Sequence, residues 1–327
     1  MSGCYVVADY RATPSEAIQV VSKTLIDGMR QGGRAVIVIP PERLAPWIPK
    51  LIALRPRLIV FVHGPGSGVV RASAILRKLT RARIIWVATR PDLEHVPQWA
   101  TGRRTAHAVV CNRRRPDLYT VATDAEMLEQ FIGIDPSRLR SSASTSGPWP
   151  KLRELGRPIA LHVGHLRRNR GLDLLVEAKE SLDDRIEIVV QGSPTFDPDP
   201  GVVEELNRVG IHVRRAYMPN LADLYRAADL YVFPGRQEDA GAVELPLSVL
   251  EAVACRRPVL ANDFGALRSA LDGVDGVQIT RPDRFVADLK SILDDPDGLR
   301  RMPAGLPRRL HAERVTEAVL GLAMSTR

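Results

Sequence analysis

Two clusters of side chains in this sequence have the types and spacing for chemistry. The first lies in "ALHVGHLRRNRGLDLLVEA" (160–178), where Gly164, His165, Arg167, Arg168 and Arg170 join an apolar run to an amphipathic helix. A glycine lets the backbone turn without a Cβ clash. The N–H groups of a helix start favour negative charge, and arginine offers a planar fork of donors that fits phosphate oxygens. The chemistry implied is capture of a phosphate or diphosphate. A solvated turn is the plainer alternative, and because the basic side chains cannot all point one way, one or two of them belong to the surface in either case. The second cluster lies in "FPGRQEDAGAVELPLSVLEAVACRRPVLAN" (233–262), which carries Glu238, Asp239, Glu244 and Glu251. Carboxylates at a strand end and in the next helix suit sugar or ribose hydroxyls. Glu251 sits among Leu247, Leu250, Val253 and Ala254, close to a buried face, where an unpaired charge is expensive. His63 in "VHGPG" follows a strand-like run and is a candidate catalytic residue, although a lone histidine is more often structural.

Such residues need elements to position them. Apolar runs alternate with helical patterns along the whole chain, the signature of parallel α/β layers. Strands are expected near 4–10, 34–40, 57–63, 83–89 and 106–112, then near 157–163, 186–192, 211–217, 230–234, 258–262 and 276–280. The first clear helix is 15–33, with Ser15 to cap it and Gly32 to end it. Further helices are expected at 171–182, 219–228, 245–255, 283–294 and 311–324. "TSGPWP" (145–150) has the composition of a linker. The fold class is therefore α/β, with two doubly wound, Rossmann-like domains, 1–150 and 151–327, and a ligand cleft expected at their junction.

Composition narrows the partners. The chain has 327 residues and a net charge of +8, and residues 1–156 hold 23 Lys+Arg against 12 Asp+Glu. A basic half meets anions: nucleic acid, anionic lipid headgroups or a phosphorylated substrate. The segments 69–86 and 102–117 concentrate that charge, the first as a helix-like run, and can be read as solvated surface or as a patch for an anionic membrane. Nucleic acid is disfavoured, because aromatics are only 5% of residues and none interleave with the arginines to stack on bases. Three scattered cysteines fit a reducing compartment rather than disulfides or zinc. With no apolar run of about 18 residues and no signal-like start, the expectation is a cytoplasmic protein, peripheral on the inner face of the membrane if the basic patch docks there.

Several motifs together carry a family resemblance. "GHLRRNRGLDLLVEA" is similar to the Gly-Arg-Leu, three residues, Lys-Gly-hydrophobic-Asp pattern of glycosyltransferase family 4, with His165 in place of the usual Arg and Arg170 in place of Lys. "IVVQGSP" resembles its strand ending at Gly192. "LADLYRAADLYVFPGRQE" and "LSVLEAVACRRPVLANDFGALRSAL" resemble its following motifs in the same order, and "HAERVTEAVLGLA" its closing helix. The resemblance spans roughly 157–325 and implies the GT-B fold: two such domains facing each other across a cleft, the first on the acceptor side and the second binding the donor.

It further implies a retaining, metal-independent, hexosyltransferase-like enzyme with no cofactor and a nucleotide diphosphate sugar as co-substrate. The family's diphosphate grip maps onto Arg170 and His165 and its ribose contact onto Glu251, with Gly164, Arg168, Gly192 and Leu250 as further donor-binding residues. The first Glu of the family's Glu, seven residues, Glu pattern falls on Val243, leaving Glu238 or Glu244 for the sugar. The acceptor is open, with a lipid-linked molecule one option. The departure at Val243 and the loss of the glycine-rich loop to "RATPSEA" (11–17) motivate an alternative, a non-catalytic GT-B protein that binds a nucleotide sugar or a protein partner.

Overall fold

Mostly apolar runs become parallel strands of three to six residues in two sheets. The computed structural model describes residues 3–14, 16–62, 66–90, 98–114, 116–139, 149–216, 218, 220–236, 243–295 and 297–324. The first sheet is built from β1 (Cys4–Val7), α1 (Ala17–Gln31), β2 (Val36–Ile39), α2 (Leu44–Leu54), β3 (Leu58–Val62), α3 (Ser67–Leu79), β4 (Arg83–Ala88), β5 (Ala108–Cys111), α4 (Pro116–Val121) and β6 (Glu126–Glu129). Its order is β2-β1-β3-β4-β5-β6, parallel throughout. The central strands read as unbroken apolar runs because both faces are covered. Ile59, Phe61, Ile84 and Trp86 are fully buried, and the Trp86 indole donates to Ser73 Oγ at 2.9 Å.

The second sheet follows from α5 (Pro150–Glu154), β7 (Ile159–Gly164), α6 (Leu172–Leu182), β8 (Glu187–Gly192), α7 (Val202–Arg208), β9 (His212–Arg214), α8 (Leu221–Ala227), β10 (Leu230–Phe233), α9 (Leu247–Ala254), β11 (Val259–Asn262), α10 (Leu267–Leu271), β12 (Val277–Thr280) and α11 (Phe285–Asp294). Its order is β12-β11-β10-β7-β8-β9, again all parallel. Strand order reverses between β7 and β10, the position at which doubly wound sheets hold ligands. In the first sheet the reversal falls between β1 and β3.

The chain forms two compact units rather than two pieces separated by one cut near 150. Among the described residues, the first unit takes 3–134, 243–245 and 308–324, and the second takes 135–236 and 246–307. Backbone bonds explain the return of the C-terminal stretch. Ile134 N donates to Leu310 O at 3.1 Å and Ala312 N to Ile134 O at 2.8 Å. The last helix, α12 (Ala312–Met324), then packs on α1.

Three local expectations change. Helix α1 starts at Ala17 behind an extended Glu16 that offers no side-chain cap, while Ser15 lies outside the described residues. The run 69–86 is not one helix: α3 ends at Leu79, where the extended Thr80 interrupts it, and β4 follows. Helix α2 carries three features that hide a helix from sequence: Pro46 and Pro49 within it, and a left-handed Arg55 (φ 46°) closing it.

Candidate functional site

The site is assembled around the β7/β10 reversal of the second unit. Gly171 opens α6 with φ 72°, and a Cβ there would stand 2.1 Å from the Pro234 carbonyl oxygen at the end of β10. Only glycine tolerates both the left-handed backbone and that approach. The same carbonyl accepts a 2.7 Å bond from Asn262 Nδ2, reaching over from β11. The start of α6 is thereby fixed against the end of β10, with its N–H groups at the carboxyl edge of the sheet.

Behind this edge lies His162, a polar residue in the otherwise apolar β7 and only 2% exposed. Its Nδ1 is 3.1 Å from the Val232 carbonyl, which can only accept, so Nδ1 carries the proton and Nε2 is the bare acceptor. No hydrogen-bond partner reaches Nε2 among the described residues. A Cβ on Gly164, the last residue of β7, would lie 2.8 Å from that nitrogen, so the imidazole rather than a turn favours glycine there. Burial first, and the nearby charge of Arg170 with it, pull the His162 pKa down to about 4 against the opposing bond to Val232. The ring is neutral at physiological pH.

The basic residues expected at this joint divide between two directions. Arg170 is part-buried and lies within electrostatic reach of His162. Arg168 turns outward: it pairs with Glu205 at 3.2 Å and donates to Pro200 O at 3.1 Å, tying the loop before α7. The His165 ring meets Phe196 edge-on at 4.8 Å, and the Arg167 guanidinium lies over the same ring at 5.3 Å. Gly192 pairs with Gly164 across β7 and β8, and a Cβ there would meet Leu166 at 2.8 Å.

The carboxylates divide likewise. Glu251 on α9 is part-buried and accepts a 2.7 Å bond from the Tyr225 hydroxyl of α8. Burial raises its pKa, outweighing that bond and the charge of Arg138. Leu250 is fully buried, so its side chain belongs to the core, not to a ligand surface. Glu244 groups with the first unit. It is 5% exposed, accepts from Arg113 Nε at 2.6 Å, and its N–H donates to Thr89 O. A carboxylate held this way is already neutralised and is turned to the strand ends of the first sheet. His63 and Glu238 lie outside the described residues.

Sequence reasoning missed His162, Asn262, Tyr225 and Arg236. Arg236, two residues past Pro234, pairs with Asp173 in the first turn of α6. A histidine inside an apolar strand two residues before a glycine was a visible signal. Nothing in sequence ties Arg236 to Asp173, because only the close approach of Gly171 to Pro234 brings them together. Among the described residues no group of three His, Cys, Asp or Glu is arranged to hold a metal ion, and no helix is long and apolar enough to cross a membrane.

This geometry agrees with the relationships of the chain. Residues 157–295 match the family described as Glycosyl transferases group 1. A D-inositol 3-phosphate glycosyltransferase of Thermobispora bispora is 35% identical over 192 residues, covering 51% of this chain and 43% of the relative. The chain spans about half the length of the curated relatives it matches. Sucrose-phosphate synthase from Thermosynechococcus elongatus has a similar structure, with a TM-score of 0.69 at 15% identity, covering 98% of this chain and 96% of the other. Anabaena HepE in complex with UDP and glucose follows at 0.66 and 15%, covering 98% and 97%. Residues 157–295 are thus similar to glycosyl transferases of group 1, and the chain has the GT-B fold.

Proposed function

We propose that the protein is a retaining glycosyltransferase that moves a sugar from a nucleotide diphosphate donor to an acceptor. The observation that carries this reading is the backbone cradle at the β7/β10 reversal. There the start of α6 is fixed by the close approach of Gly171 to Pro234, with Arg170 beside it. Breaking the anomeric C–O bond leaves negative charge on the diphosphate. A fixed guanidinium and a helix N-terminus at that point stabilise the transition state without reorganising. Glu251 takes the ribose hydroxyls, exchanging its single bond from Tyr225 for a paired one. Ligands named in related structures, UDP and UDP-glucose, are of this donor class.

The acceptor side of this proposal rests on charge. From Arg43 to Arg90 the chain has ten basic residues and no acidic one. On α2 and α3, which pack together, Leu54, Ile75 and Leu79 are exposed beside Lys50, Arg55, Arg71 and Lys78. This surface suits an anionic membrane carrying a lipid-linked acceptor, each basic residue contributing about 1 kcal/mol near the lipid surface. The acceptor named in the relatives, an inositol phosphate, is also an anion, which favours a phosphorylated soluble acceptor as the competing case.

A thermal-shift screen of nucleotide diphosphate sugars is the direct test, because a bound donor raises stability. One donor should raise the melting temperature and be turned over with retention at the anomeric carbon. Val243 at the position of the family's first Glu, with Glu244 held by Arg113, favours the non-catalytic reading as second. Donor binding with neither transfer nor hydrolysis would select it. Co-sedimentation with anionic vesicles, against neutral ones, tests the membrane surface.

A further inference from the structure

We propose that Arg236 is a positioning residue for the diphosphate, held on Asp173 in the ligand-free protein and passed to the anion on binding. This rests on the reading of the α6 start as an anion site. Three observations carry it. The close approach of Gly171 to the Pro234 carbonyl sets the chain leaving β10 against the start of α6, so Arg236 and Arg170 flank the same helix end. Arg236 pairs with Asp173 through its terminal nitrogen, while its Nε is buried and has no hydrogen-bond partner among the described residues. Asp173 sits in the first turn of α6, where the helix dipole attracts negative charge, so it occupies the place an anion would take.

The exchange is chemically simple. A diphosphate carries more charge than one carboxylate and presents oxygens spaced for a guanidinium fork, whereas Asp173 is half exposed and shares its charge with water. Asp173 therefore keeps Arg236 from swinging into solvent, yet yields it to the stronger anion. It also screens the site from weaker, singly charged anions.

The test is calorimetric titration with inorganic pyrophosphate of the wild type, Arg236→Ala, Arg236→Lys, Asp173→Asn and the Arg236→Ala/Asp173→Asn pair. Arg236→Ala should weaken pyrophosphate binding about tenfold or more, as expected when a charge-assisted hydrogen bond is removed. Arg236→Lys should restore part of that affinity, which a structural role would not produce. Asp173→Asn should tighten binding several-fold, and the gain should shrink in the Arg236→Ala background. Unchanged affinity in an Arg236→Ala protein that melts like the wild type would overturn the proposal. So would a gain from Asp173→Asn that persists undiminished without Arg236, because Asp173 would then act by its own charge alone. If Arg236→Ala fails to fold, the Lys and Asn variants carry the same decision: Lys binding as tightly as the wild type with no gain in Asn rejects it. Pyrophosphate binding that behaves as described, with no sugar transferred, would leave this inference standing and remove the enzymatic one.

Discussion

The chain leaving β1 at the reversal of the first sheet carries Asp9, Tyr10 and Arg11, whereas the chain leaving β7 at the reversal of the second carries Gly164 and, seven residues on, Gly171. In the first unit side chains close the turn: Asp9 accepts from Arg11 at 3.2 Å and from Gln19 of α1 at 3.0 Å. In the second, bare backbone closes it, with glycine at the two places where a side chain would intrude. One winding rule therefore produces two different mouths. A carboxylate already accepting two bonds repels phosphate, while N–H groups approached by nothing larger than hydrogen invite it.

The comparison breaks most visibly at glycine. Gly33 and Gly171 have nearly the same φ, 76° and 72°, but a Cβ at Gly33 would meet nothing within 4 Å. Gly33→Ala should therefore cost only the left-handed backbone term, about 1 kcal/mol, whereas Gly171→Ala adds a collision with the Pro234 carbonyl and should cost about 3 kcal/mol or more. Urea unfolding of both variants measures the difference. Equal losses would mean that the close approach at Pro234 relaxes freely and is no cradle.

The next effect is on acid stability. His162 has its folded pKa near 4, below the usual 6.5 of histidine, so the unfolded chain takes up the proton more readily. Stability contributed by the neutral ring is complete above pH 6.5 and is lost as pH falls toward 4, about 3 kcal/mol in all. His162→Gln keeps a donor for the Val232 carbonyl and does not titrate. Its stability between pH 6.5 and 4 should fall less than that of the wild type. Parallel acid limbs for the two proteins would show that the ring is not a buried neutral acceptor.

How much of this was legible in sequence follows the same contrast. The second unit could be read because close approaches constrain residue identity at fixed spacing: Gly171 is dictated by its left-handed backbone and the Pro234 carbonyl, and Gly164 by the His162 ring. The strands of both sheets could be read because buried parallel strands are continuous apolar runs. Helix α2 was hidden by its prolines, and β6 by a pattern, Glu126–Glu129, that is half polar. The partners of Glu244 and Arg168 were hidden for another reason. A long charged side chain reaches several ångströms in any direction, and spacing in sequence does not fix which way it turns. Arg113 lies 131 residues from Glu244, and Glu205 lies 37 from Arg168.

Glu251 sharpens the contrast at the level of one carboxylate. Its raised pKa means that the charged form is a cost to the folded protein at neutral pH, a cost absent below the unfolded pKa and growing as pH rises through the folded one. Glu251→Gln removes the charge and keeps an acceptor for the Tyr225 hydroxyl. The variant should be as stable as the wild type or slightly more so, yet bind nucleoside diphosphate more weakly by about 1.5–2 kcal/mol, the value of a charge-assisted bond. Loss of stability with unchanged affinity would make Glu251 a structural partner of Tyr225 only.

The smallest expected effect is at Arg168, which stands two residues from Arg170. Arg170 lies beside His162 at the start of α6, and Arg170→Ala should weaken binding of a nucleoside diphosphate by about 1.5–3 kcal/mol. Arg168 faces the other way, and its pair with Glu205 is half exposed on both sides. Exposed pairs contribute about 0–1 kcal/mol because water screens them and two long side chains must be ordered. Arg168→Ala should therefore leave nucleotide affinity unchanged and lower stability by less than about 1 kcal/mol, felt through the Pro200 loop and Glu205 of α7. Raising the salt concentration should shrink the stability loss, because it weakens what remains of that pair. An affinity loss in Arg168→Ala as large as that in Arg170→Ala would show that Arg168 abandons Glu205 for the anion. The division of the basic cluster into one gripping and one bracing arginine would then be wrong.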